Sequence, residues 1–323
     1  MRLVSLVPSV TEILFELGLG DQVVGVSHQC RYPPAAAQKP VLTRSRVHLE
    51  RDSRLNAASS AAIDHAYARF RARQGSPYAL DEGLLASLAP DVIFDQGLCD
   101  VCAIGEAEVG AAARALPRPP AIVTLTASTV GEILESVSTI GAAAGAEAAA
   151  AALRRALAAR IDLVRTKLRA APERPRVVCL EWLDPLWCAG HWLPELVDLA
   201  GGEDVLGQRG APSQRITWER VLAAAPDVLL LVPCSFSISR TLREAPALMR
   251  RPGWQALPAV QRGRVWVADS GAFSHHSHRT IDGLEMLAHV LHPDRFVHRW
   301  SAAELLRIAD PADPGGGREG VPA

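Results

Sequence analysis

Apolar positions along the chain alternate between short continuous runs and longer stretches with helical spacing. The longest helical stretch covers residues 146–168, in which Leu153, Leu157, Ile161 and Val164 recur three or four residues apart. Neither glycine nor proline interrupts it, whereas glycines precede it and prolines follow it. The pattern predicts one helix of roughly 22 residues, about 33 Å long, which is the width of a small domain.

The chain on either side of this helix follows one plan twice. Short apolar runs at residues 3–7 and 176–180 predict the first strand of each half. The segment ELGLGDQVVGV is then matched by DLAGGEDVLGQ, and LLASLAPDVI is matched further on by RVLAAAPDVL. The second pair is typical of a helix, a Pro-Asp turn and a buried strand. Two matched segments in the same order indicate an internal repeat, and predict two Rossmann-like α/β lobes joined by a single long backbone helix.

The predicted elements also place the boundaries. We expect an N-terminal α/β lobe at residues 1–127 with an insertion at about 43–78, linker helices at 128–171, a C-terminal α/β lobe at 172–309, and a disordered, Gly- and Pro-rich tail at 310–323. Within the insertion, residues 59–73 predict a helix. Further strands are expected at 23–27, 92–95, 122–125, 228–232 and 264–268, and a closing helix at 280–291.

Composition restricts the class of protein. The chain has 323 residues, 49% of them hydrophobic and 21% charged, with a net charge of −1. These values fit two globular domains and give no field that would attract nucleic acid or an anionic membrane. No apolar run reaches the ~20 residues of a membrane span, and no signal peptide precedes the first strand. The six cysteines lack a disulfide-like spacing. We therefore expect a monomeric cytoplasmic protein, periplasmic only if the true start lies upstream.

Ligands of open α/β sheets bind at loops that follow the carboxyl ends of strands. In the first lobe Ser9 is also expected to cap the helix after the first strand. In the second lobe three tryptophans fall within twelve residues and can form an apolar wall for a large flat ligand, or serve as core aromatics. The candidate ligand-binding residues in these loops are Pro8, Ser9, Gln96, Leu98, Trp182, Trp187, His191, Trp192 and Phe236.

Cys99 and Cys102 have the C-x-x-C spacing of metal-binding or redox pairs. A second C-x-x-C is missing, which argues against a structural zinc site. Contact with a ligand or metal, a redox role and buried structural thiols all remain open.

The densest group of potential metal ligands is His275, His276 and His278. Imidazole binds zinc, iron and cobalt, so this loop is a candidate metal site or a source of an axial ligand to a metal in a macrocycle. The alternative is a solvated polar loop.

Several long motifs resemble the periplasmic-binding-protein family of the cobalamin and ferric-siderophore type. They are SLVPSVTEILFELGLGDQVVGVSHQCRYPP, LLASLAPDVIF, ELVDLAGGEDVLG and RVWVADS, within residues 1–295. DQGLCDVCA, EWLDPLWCAGHWLPELVDLAGG and PCSFSISR are similar to a subgroup described as cobalamin-binding or as ABC-transporter substrate-binding. The resemblance implies two lobes held by one rigid helix. It also implies docking on a permease through one glutamate per lobe, for which Glu106 matches in the first lobe.

The leading hypothesis is a non-catalytic binding protein that holds cobalamin or a related corrinoid in the cleft between the lobes, possible alternatives being haem or a ferric siderophore. No Ser-His-Asp arrangement, carboxylate pair or phosphate loop is visible in the sequence, so we expect no enzyme. The alternative hypothesis is a cytosolic metal- or cluster-binding protein that uses Cys99, Cys102 and the histidine loop to hold zinc or iron.

Overall fold

The computed structural model of the protein describes residues 1–47, 58–98, 104–169 and 173–308. Cys99, Cys102, the predicted tail and part of the predicted insertion lie outside the described residues. The chain divides into two compact units. Unit 1 contains the described residues of Met1–Ala58 and Ala62–Ala158 together with His276–His278; unit 2 contains Ser59–Ala61 and the described residues of Ala159–His275 and Arg279–Ala323.

Unit 1 is built on a parallel sheet in the order β2-β1-β5-β6. A smaller antiparallel pair, β3 and β4, accompanies it. Its core is formed by apolar residues of β1, β5, α3 and α4, with Ile93 and Leu85 fully buried. In chain order the elements are β1 (Leu3–Ser5), α1 (Pro8–Glu16), β2 (Val23–Val26), β3 (Thr43–Ser45), α2 (Ser60–Gln74, whose first two residues belong to unit 2), β4 (Tyr78–Leu80), α3 (Glu82–Leu88), β5 (Val92–Gln96), α4 (Glu106–Arg114), β6 (Ala121–Leu125) and α5 (Val130–Ala143).

The long helix predicted from the apolar spacing is α6 (Glu147–Leu168). Leu157, Ile161 and Val164 are buried along one face, as the spacing requires. The boundary between the two units falls within this helix, after Ala158. The helix is therefore shared by both units, which confirms the predicted plan of two α/β parts connected by one helix.

Unit 2 contains a larger sheet in the order β10-β8-β7-β11-β12-β13, with the short β9 also paired to β7. Its core packs β7, β11 and β12 against α8 and α9. The elements are β7 (Arg176–Leu183), β8 (Leu186–Cys188), α7 (Leu193–Leu199), β9 (Glu203–Asp204), β10 (Gln214–Arg215), α8 (Trp218–Ala224), β11 (Val228–Leu231), α9 (Ile238–Met249), α10 (Pro258–Gln261), β12 (Val265–Ala268), α11 (Thr280–Leu291) and β13 (Leu305–Arg307).

The internal repeat predicted from the sequence extends to individual hydrogen bonds. The parallel order β9-β7-β11-β12 of unit 2 reproduces the order β2-β1-β5-β6 of unit 1. The N–H of Arg2 donates to Asp91 Oδ2 over 2.8 Å, and the N–H of Arg176 donates to Asp227 Oδ2 over 3.0 Å. These bonds lie just before the paired strands β1 and β5 in unit 1, and just before β7 and β11 in unit 2.

The helices before the Pro-Asp turns also end alike. Ala89 follows α3 with φ of 42°, and Ala225 follows α8 with φ of 41°. A left-handed residue at the end of a helix usually is glycine, because a side chain there is strained. The same unusual residue in the same conformation at both positions supports the predicted internal repeat.

Candidate functional site

The carboxyl end of β1 leads directly into α1. The expectation that Ser9 caps this helix is wrong, because α1 begins at Pro8 and its N-cap is Val7 without a side-chain bond. Proline fits the first helical position, where its missing N–H costs nothing. Ser9 is instead in the first turn and only 1% exposed. Its Oγ lies 3.0 Å from Nε2 of His276.

Three polar contacts hold the histidine segment His276–His278 on α1. Besides the Ser9–His276 bond, Ser277 Oγ donates to Glu12 Oε2 over 2.5 Å. His278 Nε2 lies 3.7 Å from Glu16 Oε2. Residues 9, 12 and 16 are three and four positions apart, so they share one face of α1. We call this arrangement the α1 clamp.

The α1 clamp changes what the three histidines can do. His276 is only 3% exposed, and its Nε2 already lies within hydrogen-bond distance of Ser9. Axial ligation by that nitrogen would require breaking this bond. His275 belongs to unit 2, is half-buried, and its carbonyl accepts from Thr280 Oγ1 over 2.9 Å. Axial ligation by a histidine of this loop stays a prediction.

The end of β5 carries two buried polar residues, Asp95 and the predicted ligand-binding residue Gln96, followed by the half-buried Leu98. Burial raises the pKa of Asp95; the Thr124 hydroxyl opposes this effect and the Glu106 carboxylate adds to it. The pair Cys99 and Cys102 comes directly afterwards, outside the described residues, so its alternatives remain open.

In unit 2 part of the predicted aromatic wall is assembled. Trp182 on β7 lies opposite Trp187 on β8 in the antiparallel ladder. The ring of Trp182 also contacts Phe236, with centroids 5.1 Å apart. The guanidinium of Arg240 lies over the ring of Phe236, 4.6 Å from its centroid. Arg240 also forms an ion pair with Glu244 over 2.7 Å. We call Trp182, Phe236 and Arg240 the aromatic stack.

Trp192 occupies a different environment. It is 5% exposed, and its Nε1–H donates to the carbonyl of Phe273 over 2.8 Å. This side chain is thus turned into the interior of unit 2, with its one donor satisfied. The neighbouring His191 is half-buried at φ of 52°, and burial lowers the pKa of its imidazole.

Glu181 is a residue that we did not select from the sequence, although it stands alone as a charge in the apolar run VVCLEWL. Leu180 and Leu231 form the last parallel pair between β7 and β11, so Glu181 is the first residue past that pairing. Its Oε2 accepts a hydrogen bond from Ser213 Oγ. Burial raises the pKa of Glu181 to about 8. A carboxyl group that keeps its proton at neutral pH therefore lies at the carboxyl edge of this sheet.

Among the described residues, Cys30, Cys179 and Cys188 are buried free thiols, and Cys234 is half-buried. Burial raises the pKa of each of the first three. Across the same ranges, no group of three or more His, Cys, Asp and Glu side chains is arranged to hold a metal ion.

Glu106, the candidate docking residue, is the exposed first residue of α4. A carboxylate in the first helical turn is favoured by the helix dipole and faces solvent here. Docking through it stays a prediction. No helix in the described part of the chain combines the length and apolar character needed to cross a membrane.

A family model described as periplasmic binding protein matches residues 3–272. The chain belongs to the periplasmic binding protein family. The resemblance inferred from the sequence motifs is thereby confirmed, and so is the expected class of a two-lobed α/β fold.

Two curated relatives cover most of this periplasmic binding protein. An uncharacterized ABC transporter substrate-binding lipoprotein of Bacillus subtilis is 24% identical over 91% of this chain and 81% of its own length. A vitamin B12-binding protein of Vibrio cholerae is 21% identical over 88% of this chain and 87% of its own length.

Solved structures share the fold at low identity. The periplasmic vitamin B12-binding protein of Vibrio cholerae has a TM-score of 0.64 and 22% identity, covering 90% of this chain and 96% of its own. A periplasmic heme-binding protein from Pseudomonas aeruginosa has a TM-score of 0.70 and 18% identity, covering 94% and 96%. These likenesses establish the shared architecture.

The expectation of a cytoplasmic location is wrong. The relatives of this periplasmic binding protein are a lipoprotein and periplasmic proteins, which point to a location outside the cytoplasm. The cysteine argument failed for a physical reason. The reactive form of cysteine is the thiolate, and buried thiols with a raised pKa resist oxidation. Free thiols are therefore compatible with an oxidising compartment when they are buried, as Cys30, Cys179 and Cys188 are.

Proposed function

We propose that this protein is the extracytoplasmic substrate-binding component of an ABC transporter, and that its ligand is a corrinoid or another tetrapyrrole- or siderophore-sized molecule. It binds the ligand without chemical change and delivers it to a permease. The two curated relatives support the transport class, because one is named as a substrate-binding lipoprotein and the other as a vitamin B12-binding protein.

The observation that carries the ligand class is the contact between Trp182 and Phe236 in unit 2. Trp182 lies near the end of β7 and Phe236 follows β11, so both are at the carboxyl edge of the sheet, where ligands of such folds bind. Phe236 is only 6% exposed and supports the half-buried Trp182, whose ring provides the apolar area for a flat macrocycle. Heme and vitamin B12, the molecules named for the structural neighbours, are both flat macrocycles with polar substituents.

The test is a titration of the purified full chain with cyanocobalamin, hemin and a ferric siderophore in turn, followed by visible absorption and calorimetry. We expect one of these to bind with a dissociation constant in the micromolar range or below. The variant Trp182→Ala should weaken that binding at least ten-fold, or about 1.4 kcal/mol.

Trp300→Ala is the matched control, because Trp300 is another half-buried tryptophan of unit 2 and its ring contacts His289, His298 and Arg299 rather than the aromatic stack. It should bind as the parent does. Failure of all three ligands, or equal losses in both tryptophan variants, would contradict the proposed ligand class.

Docking on a permease would use Glu106. In reconstituted transport, Glu106→Ala should reduce uptake while the affinity for the free ligand stays unchanged. Glu82→Ala is the control, since Glu82 is also an exposed carboxylate in the first turn of a helix. Equal uptake by the parent and both variants would remove Glu106 from the docking surface.

The alternative of a cytosolic metal- or cluster-binding protein gains no support. Its compartment is contradicted by the relatives, and the described residues hold no metal-binding group of three or more ligands.

A further inference from the structure

Glu181 sits where a ligand of unit 2 would make contact. Its backbone carbonyl accepts the N–H of Cys234 over 3.0 Å, which ties the end of β7 to the loop after β11. The next residue, Trp182, supplies the aromatic stack. Glu181 itself is half-buried, so part of its surface remains accessible although protein surrounds most of it. Glu181 and Trp182 are therefore neighbours on β7, and the loop after β11 that supplies Phe236 is bonded to them.

The hydrogen bonds around this carboxyl group leave a proton to donate. Ser213 Oγ donates to Oε2, and the backbone N–H of Gly190 also acts on the carboxyl group. Both contacts use the carboxyl as an acceptor. In a protonated carboxyl the second oxygen bears an O–H donor. Among the described residues, the structure assigns no acceptor to that donor.

Among the described residues, the titratable groups that act on Glu181 are acids. Cys234 and Asp204 act on it directly, and Cys179 and Cys188 are coupled to it in turn. Burial raises the pKa of Asp204 to about 6, so Asp204 is ionised at neutral pH and adds negative charge near Glu181. Desolvation, with smaller contributions from Cys234 and Asp204, raises the pKa of Glu181, and the Ser213 and Gly190 contacts offset only part of this rise.

We propose that Glu181 is a neutral carboxylic acid that contacts the bound ligand and donates a hydrogen bond to a carbonyl or carboxylate substituent on it. This inference rests on the proposed function and adds the chemistry of recognition. The aromatic stack selects for a flat apolar ring, and the acid selects for an acceptor on the rim of that ring.

The acid also gives the site a preference by charge. A protonated Glu181 donates its O–H to a carbonyl or carboxylate oxygen of the ligand, whereas an ionised Glu181 has no donor for either oxygen and repels an anionic group. Binding should therefore require the protonated form, and the observed affinity should fall in proportion to its fraction. With a pKa of about 8, affinity should be flat from pH 6 to 7.5 and weaken about ten-fold per pH unit above 8.

The test measures the dissociation constant of the full chain for cyanocobalamin, or for hemin or the ferric siderophore if one of those binds instead, between pH 6 and 9.5. The parent should lose about thirty-fold in affinity at pH 9.5 relative to pH 6. Glu181→Gln keeps an N–H donor at every pH, so its affinity should not change above pH 8. Glu203→Gln, an exposed change on the neighbouring β9, should keep the pH profile of the parent.

A second readout uses dicyclohexylcarbodiimide, which reacts with protonated carboxyl groups in apolar surroundings. Glu181 should be modified at pH 7, less at pH 9.5, and less at pH 7 when the ligand is saturating, as measured by peptide mass spectrometry. Modification unaffected by pH or by the ligand would overturn the inference, and so would an affinity of the parent that does not change with pH. The proposed function would survive either result. If none of the three ligands binds at pH 6, the proposed function fails and the inference falls with it.

Discussion

The α1 clamp makes a sharp prediction about unit 1. Ser277 is 0% exposed and donates over 2.5 Å to Glu12, which is 2% exposed. A buried acceptor that loses its donor costs about 1–3 kcal/mol, because water does not replace the lost hydrogen bond. Replacing a hydroxyl by hydrogen removes little volume, so the cavity contribution is small. We therefore expect Ser277→Ala to lower the free energy of unfolding by about 2 kcal/mol.

The distribution of aromatic residues provides the assay. All seven tryptophans lie in unit 2. Tryptophan fluorescence in a urea titration therefore follows unit 2, whereas far-ultraviolet circular dichroism follows the helices and strands of both units. Ser277→Ala should shift the dichroism transition to lower urea. If the two units unfold separately, the fluorescence transition should move less.

Ser274→Ala is the matched control, because Ser274 lies in the same loop and is half-buried, and its side chain makes none of the clamp's contacts. It should change the stability by less than about 0.5 kcal/mol. A double variant with Glu12→Gln should lose less than the sum of the single changes, since the two residues share one bond. Equal stability of the two serine variants would refute the stabilising role of the clamp.

Three further outcomes are expected. Between pH 4.5 and about 8 folded Glu181 keeps a proton that the unfolded chain releases, so stability falls by up to about 1.4 kcal/mol per pH unit; Glu181→Gln should flatten urea midpoints measured from pH 5 to 8. Ala89→Gly should be neutral or stabilising by up to about 1 kcal/mol because φ is 42°, whereas Ala86→Gly at an exposed position within α3 should cost about 1 kcal/mol by thermal unfolding. Trp192→Phe should cost about 1–2 kcal/mol by losing its bond to Phe273, with ligand affinity unchanged in calorimetry. The opposite sign in any of these comparisons contradicts the corresponding assignment.

The features that could be predicted from the sequence are those set by local periodicity. Apolar spacing gave the bounds of α6 and α11 to within a residue, and the Pro-Asp turns located the strands β5 and β11. These signals depend on residues that are neighbours in the chain. The repeat added the relation between the two halves, and the equivalent bonds from the backbone N–H of Arg2 and Arg176 to the side chains of Asp91 and Asp227 agree with it.

The features that could not be predicted depend on residues far apart in sequence. Ser277 and Glu12 are 265 positions apart, and nothing local in HHSH indicates that its serine is buried against a helix near the N-terminus. Trp182 and Trp192 belong to the same tryptophan-rich stretch of sequence. Trp192 nevertheless donates to Phe273 in the interior of unit 2, whereas Trp182 contacts Phe236. Side-chain direction at a strand end is decided by tertiary packing, which periodicity does not carry.

The comparison of the two halves separates scaffold from site. Counted from the paired Arg2 and Arg176, Glu181 of unit 2 corresponds to Val7 of unit 1. Val7 is buried and apolar, so a strand end of this plan does not need a carboxyl group. Desolvating a carboxyl group costs stability, and the Ser213 and Gly190 hydrogen bonds offset only part of this cost at Glu181. The acid of unit 2 is not part of the shared plan and is compatible with the proposed recognition of a ligand, whereas the bonds from the backbone N–H of Arg2 and Arg176 to Asp91 and Asp227 belong to the scaffold.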